Sequence, residues 1–172
     1  MAAGDGTFQV VHNDALSEFL VDNTAVAVDS MGEYGSYTAP AWSTTKVPVA
    51  IAAVRNDPNA VAYIDEAIAA SDNDAAEALW NSMGSRADVL TNQILREGGD
   101  YTRVFHAGSL SDDSLAFGET PWNLSDQARF ASNLRCIADH QSVVNAMAAL
   151  NNGHDYGLGL IPGAIFKGGW SG

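Results

Sequence analysis

Residues 7–11, "TFQVV", are β-branched and aromatic-rich, and predict a strand or a helix entry. In "DALSEFLVDN", Ala15, Leu16, Phe19 and Leu20 then fall on one face at helical spacing. The period changes in "TAVAVDSMGEYGSYTA". Val26 and Val28 alternate, Gly32 to Gly35 supply turn chemistry, and Tyr34 and Tyr37 flank a return strand, so a β-hairpin is expected. From Ala41 the pattern is helical again. "AWSTTKVPVAIAAV" leads a helix to about Arg55, and "NDPNAVAYIDEAIAAS" a second, with Pro58 near its start. "DNDAAEALWNSMGS" places Ala76, Leu79, Trp80 and Met83 on one stripe, with Gly84 as a stop. "RADVLTNQILREGGD" is a fourth helix, closed by glycine. Residues 102–124 show no clear period. "LSDQARFASNLRCIAD" predicts a helix capped by Ser125, with Phe130, Leu134 and Ile137 along one side. Cys136 in that pattern reads as a packed core residue. "QSVVNAMAALN" is a further helix, and the tail "YGLGLIPGAIFKGGWSG" reads as glycine-rich strand and turn. Strands at both ends and helices between them predict a single α+β domain over 1–172. Its antiparallel sheet is built from both chain ends and packed with a helical layer.

Composition narrows the partners. Hydrophobic residues are 47% and charged residues 17%, enough apolar matter for a core. Eight Lys+Arg against 21 Asp+Glu give a net charge of -13, a surface that repels nucleic-acid phosphate and anionic lipid. The single cysteine excludes an intrachain disulfide. No run reaches the roughly 20 apolar residues of a membrane span, so none is expected. The start, "MAAGDGTF", lacks the basic-then-apolar order of a signal peptide. His12, His106, His140 and His154 show no metal-ligand spacing with one another or with Cys136. Asp65, Glu66, Asp112 and Asp113 read as solvated, and Gly157 and Gly159 lack a phosphate-loop context. No metal or cofactor is implied.

Three short motifs carry candidate chemistry. Ser43 and Lys46 are three apart at the mouth of an apolar helix, a spacing that puts both on one face. A hydroxyl needs a base to become a nucleophile, and a lysine serves when burial lowers its pKa. The same residues also read as a simple helix entry, with Ser43 in the preceding loop and Pro48 in the first turn. "SDND", from Ser71 to Asp74, is either an acidic helix cap or a proton relay (Ser71) beside an amide holder (Asn73). "FKGGW" is either a glycine turn or a strand edge. In the second case Lys167 faces an anionic group, and Gly168 and Gly169 allow close backbone approach.

The order matters more than each motif. S-x-x-K opens one helix, S-D-N a second, and K-G-G follows an apolar segment near the C-terminus. This resembles the serine β-lactamases and penicillin-binding D-Ala-D-Ala peptidases, over roughly residues 25–170. "FGETPWNLSDQARFASNL" is similar to the segment after the active-site loop in actinobacterial serine hydrolases of that superfamily. The resemblance implies an acyl-enzyme at Ser43, Lys46 as its base and Ser71 as relay to the leaving nitrogen. It implies that Asn73 orients a substrate amide and that Lys167 attracts a substrate carboxylate. The backbone N–H groups of Ser43 and Trp170 would form the oxyanion hole. A peptide, amide or ester substrate is implied, in an extracytoplasmic setting.

The chain departs from the family pattern in four places. Gly168 stands where the family has Thr or Ser, which removes a carboxylate-binding hydroxyl. Only about two dozen residues separate Lys46 from Ser71, so the helical part must be small. No E-x-x-L-N loop is found, and Glu119 lies in the right region for a deacylation base. The sequence stops two residues after Trp170, where family members continue with two strands and a terminal helix. An incomplete domain is expected, with an open strand edge for self-association or a partner strand. Gly168 and this short C-terminus favour a second reading, a catalytically silent binding module or one that needs a complementing chain.

Overall fold

The computed structural model describes residues 24–35, 37, 39–104, 116–149 and 161–170. The expected elements over 7–23, with His12, His106, His154, Asp112, Asp113, Gly157 and Gly159, lie outside them. The hairpin forms as expected. Strand β1 (Ala25–Val28) pairs antiparallel with β2 (Gly32–Gly35), Ala25 opposite Gly35 and Val28 opposite Gly32. Ser30 and Gly32 take positive φ in the connecting turn, at 62° and 112°. The alternation is inverted in size, since Val26 and Val28 are exposed while Ala25 and Ala27 are half-buried.

The centre of the fold is helix α1 (Lys46–Asn56), preceded by a 3-10 turn, Trp42–Thr45. Every residue from Lys46 to Ala53 is buried, so the helix is enclosed on all sides. Its alanines let α2 (Asn73–Ser82) and α3 (Ala87–Glu97) pack closely against it. Ile51, Leu79, Ile94, Leu95 and Val143 are almost wholly removed from water, each contributing about 1.5–3 kcal/mol. Pro48 falls in the first turn of α1, where its missing N–H costs no intrahelical bond.

The segment after α1 is not the α-helix its spacing predicts. It is a 3-10 turn, Pro58–Tyr63, followed by a wide π turn, Asp65–Ala69. Asp57 caps the first piece by accepting the Asn59 N–H at 3.0 Å. The π turn closes with Ala70 N–H bonded to Asp65 O and Asp72 N–H to Glu66 O. Asp65 and Glu66 are exposed, as expected.

Helix α4 (Leu124–Asn133) lies against the hairpin, and α5 (Gln141–Ala148) follows a 3-10 turn, Leu134–Cys136. The cap of α4 is Asn123, whose Oδ1 accepts the Asp126 N–H at 2.8 Å. Ser125 instead donates to Glu33 at 2.6 Å, across to β2. Cys136 is exposed rather than packed. The helix tightens after Asn133, which keeps Phe130, Leu134 and Ile137 buried and turns Cys136 outward. Gly98, at the end of α3, abuts α4 so closely that a Cβ there would lie 2.4 Å from the Phe130 ring.

The tail departs most from expectation. Residues 161–170 carry no strand, so the sheet among the described residues is the hairpin alone. Pro162 and Gly163 (φ 81°) sit in a turn closed by Ala164 N–H to Ile161 O. A strand needs a neighbour for its backbone groups, and the described residues supply no ladder to 164–170. Ile165 nevertheless packs against the core. The described architecture is thus mostly helical, α+β, with one small antiparallel sheet. Among the described residues no helix is long and apolar enough to cross a membrane.

Candidate active site

The turn that carries Ser43 is strained on its entry side. Trp42 has φ 49°, a left-handed conformation that a bulky residue rarely adopts. Three hydroxyls follow in a row, and two are spent on the turn itself. Thr44 Oγ1 donates to Ala41 O at 2.6 Å and Thr45 Oγ1 to Trp42 O at 2.7 Å. Ser43 is half-buried, and among the described residues its Oγ has no hydrogen-bond partner. The turn is held from outside by Ala41 N–H to Thr120 O at 2.9 Å and by an isolated Pro40–Pro121 bridge.

Ser71 ends the π turn, also left-handed, at φ 58°. Asp72 next to it caps α2, accepting the Ala75 N–H at 2.7 Å. The left-handed turn presents both the carbonyl and the hydroxyl of Ser71 to amines. Lys46 Nζ donates to Ser71 O (2.6 Å), Asp72 O (3.1 Å) and Asn73 Oδ1 (2.8 Å). Lys167 Nζ donates to Ser71 Oγ (2.7 Å) and to Gly168 O (2.8 Å). Helical spacing alone suggests that Lys46 meets Ser43, yet all three of its acceptors lie at the entry of α2.

Both amines are easier to deprotonate than ordinary lysines. Burial lowers Lys46 to about 8, with Asp72 partly opposing the shift. Burial lowers Lys167 to about 7, and the charge of Lys46 adds to the effect. One sequence signal for this pairing is not a motif at all. Lys46 and Lys167 are the chain's only two lysines, and both converge on Ser71.

The tail reaches the Ser43 turn through Gly169. A Cβ there would lie 2.8 Å from Ala41 O and 3.0 Å from Ser43 N, so only glycine permits the approach. At Gly168 a Cβ would meet nothing closer than the Trp170 ring, at 3.4 Å. Trp170 is exposed, and its ring centroid lies 5.7 Å from Lys167 Nζ. Glu119 is half-buried on the 3-10 turn Ala116–Glu119, which packs on the Ser43 turn, with Gly118 against the Trp42 backbone.

Beside this turn opens a cleft of about 650 Å³, lined by Tyr37, Pro40, Trp42, Trp122, Gln127 and Trp170, among others. Periodicity does not single out Trp122, which lines this cleft. Its indole N–H donates to the buried Asp100 carboxylate, tying the end of α3 to the entry of α4. His140, the histidine within the described residues, has Nδ1 2.6 Å from Ile137 O. Among the described residues no three His, Cys, Asp or Glu side chains gather as a metal site would require.

In overall fold the chain is similar to a solved β-lactamase. One solved structure similar to this chain is a variant of the last common ancestor of Gram-negative bacteria class A β-lactamase. The TM-score is 0.55 at 18% identity, over 75% of this chain and 64% of that one. No protein-family profile matches the chain, and no curated protein sequence matches it. The likeness is one of fold.

Proposed function

We propose that the protein is a serine hydrolase that forms an acyl-enzyme at Ser43 on a peptide, amide or ester. The observation that carries this reading is the convergence of Lys46 and Lys167 on Ser71, in a fold whose Ser43 turn has one hydroxyl left over. Ser43 attacks the carbonyl, and the oxyanion is received by the backbone N–H groups of Ser43 and Trp170. Ser71 relays the proton to the leaving group, with an amine behind it. Lys46 fixes Asn73 through its Oδ1, which leaves Nδ2 to donate to a substrate carbonyl. Lys167, while protonated, receives the substrate's anionic end beside the backbone of Gly168 and Gly169. Glu119 is the candidate for activating the deacylating water.

A second reading is a binder without turnover, or a chain that needs a complement. It is favoured because Ser43 Oγ meets no base among the described residues and because Gly168 lacks a hydroxyl. Hydrolysis of a nitrophenyl ester and of a chromogenic cephalosporin, each against Ser43→Ala, separates the two. Turnover of the ester lost in the variant supports the hydrolase. Binding of either compound with no turnover above the variant supports the binder.

A further inference from the structure

We infer that the two lysines divide their work: Lys46 is a standing ammonium that braces the Ser71 turn, and Lys167 is the amine that exchanges a proton with the Ser71 hydroxyl. This deepens the acyl-enzyme reading and rests on it. The argument begins with donors and acceptors. An ammonium has three N–H donors and no lone pair to offer. Lys46 Nζ has three oxygen acceptors within 3.1 Å, two of them backbone carbonyls and the third an amide oxygen. A neutral amine there would aim its lone pair at one of those oxygens. The site of Lys46 is therefore shaped for the charged form.

Lys167 Nζ has a different pair of partners. Gly168 O only accepts, whereas Ser71 Oγ can accept or donate. The contact at 2.7 Å is satisfied either by ammonium donating to hydroxyl or by hydroxyl donating to amine. Of the two lysines, only Lys167 sits where a proton can pass without loss of a bond. The charged groups that act on the pair are each other and Asp72. Asp72 steadies the charge on Lys46, and the charge on Lys46 disfavours one on Lys167. The Trp170 ring at 5.7 Å favours a cation on Lys167 only weakly.

The step balances without a further reagent. Ser43 Oγ is not hydrogen-bonded to Ser71 Oγ in the resting site; as it bonds to the substrate carbonyl carbon, a bridging water passes its proton to Ser71 Oγ, and the Ser71 proton moves to Lys167 Nζ. When the bond to the leaving atom breaks, one proton returns from Lys167 through Ser71 to that atom. Lys46 keeps all its protons throughout.

The test is an NMR titration of the whole chain labelled with ¹³C at lysine Cε. Only two signals exist, because the chain has two lysines. Lys46→Arg and Lys167→Arg assign them. Should a variant fail to fold, the other variant assigns both signals of the parent by elimination, since only two exist. The expected result is that Lys167 titrates first, near neutral pH, and Lys46 after it. Lys46 titrating first, or both near the ordinary value of about 10.4, overturns the inference. The rate of Ser43 labelling by a fluorophosphonate adds an independent readout. It should rise with pH along the Lys167 titration, keep that inflection in Lys46→Arg, and lose it in Lys167→Arg. A Ser43 adduct with the reversed titration order overturns this division and leaves the hydrolase standing. The predicted order with no adduct supports the division of charge and overturns the hydrolase.

Discussion

The two halves of the site are built differently. Ser43, Lys46, Ser71 and Asn73 stand at the ends of elements that pack around α1, the most buried helix of the fold. Lys167, Gly168, Gly169 and Trp170 stand on a segment without regular structure. The first half inherits its geometry from the core. The second is held by a close backbone contact at Gly169, by the bonds of one amine and by the partial packing of Ile165. The helical half should therefore fail only when the whole domain fails. The tail half should fail locally, with the domain intact.

The largest expected effect tests the first half of that statement. Ile51→Ala, at a fully buried position on α1, should cost about 2–5 kcal/mol. Urea denaturation should show it as a shift of the single global transition. The half-buried Ile165, changed to Ala, should cost about 1 kcal/mol or less. Comparable losses at both positions would break the contrast.

Next comes the glycine pair. Gly169→Ala should push the tail off the Ser43 turn, at about 1–3 kcal/mol of packing strain, and should abolish labelling of Ser43 while the far-UV spectrum is kept. Gly168→Ser meets only the edge of Trp170. It should fold like the parent and react faster with a carboxylate-bearing penicillin, since it restores a hydroxyl beside Lys167. Equal behaviour of the two variants would mean that Gly169 is not where the tail is held.

The last contrast concerns pH. The pKa of Lys167 is about 7 when folded, below its unfolded value near 10.5. Between those values the unfolded chain binds more protons, so this residue's contribution to stability rises with pH. Below about 7 the folded state carries the full cost of the buried charge. Lys167→Met should thus be more stable than the parent at pH 6, by about 1–3 kcal/mol. The gap should close toward pH 10. Paired denaturation curves at the two pH values check the sign.

Much of the helical half was legible in the sequence. The stripe Ala76, Leu79, Trp80 and Met83 is buried as its spacing implies, and the glycine stops hold, with Gly84 at φ 58° and Gly99 at φ 78°. The S-D-N stretch opens a helix, with Asp72 as its cap. What spacing does not reveal is which partner an amine will choose. Lys46 shares a helix face with Ser43 by period, but its acceptors are fixed by a π turn and a left-handed serine 25 positions away. Residues 161–170 depart from a strand for a related reason. A β-branched or glycine-rich run becomes a strand only with a neighbour to take its backbone bonds. Cys136 and the cap of α4 turn on where a helix tightens or begins, within one or two residues, which periodicity does not resolve.

The central claim is that Ser43 is an activated nucleophile. The most direct test is intact-mass spectrometry after treatment with a fluorophosphonate, followed by peptide mapping. A single adduct on Ser43, absent in Ser43→Ala and strongly slowed in Ser71→Ala, is the predicted result. An unmodified chain, or an adduct on Thr44, Thr45 or another hydroxyl, would contradict it.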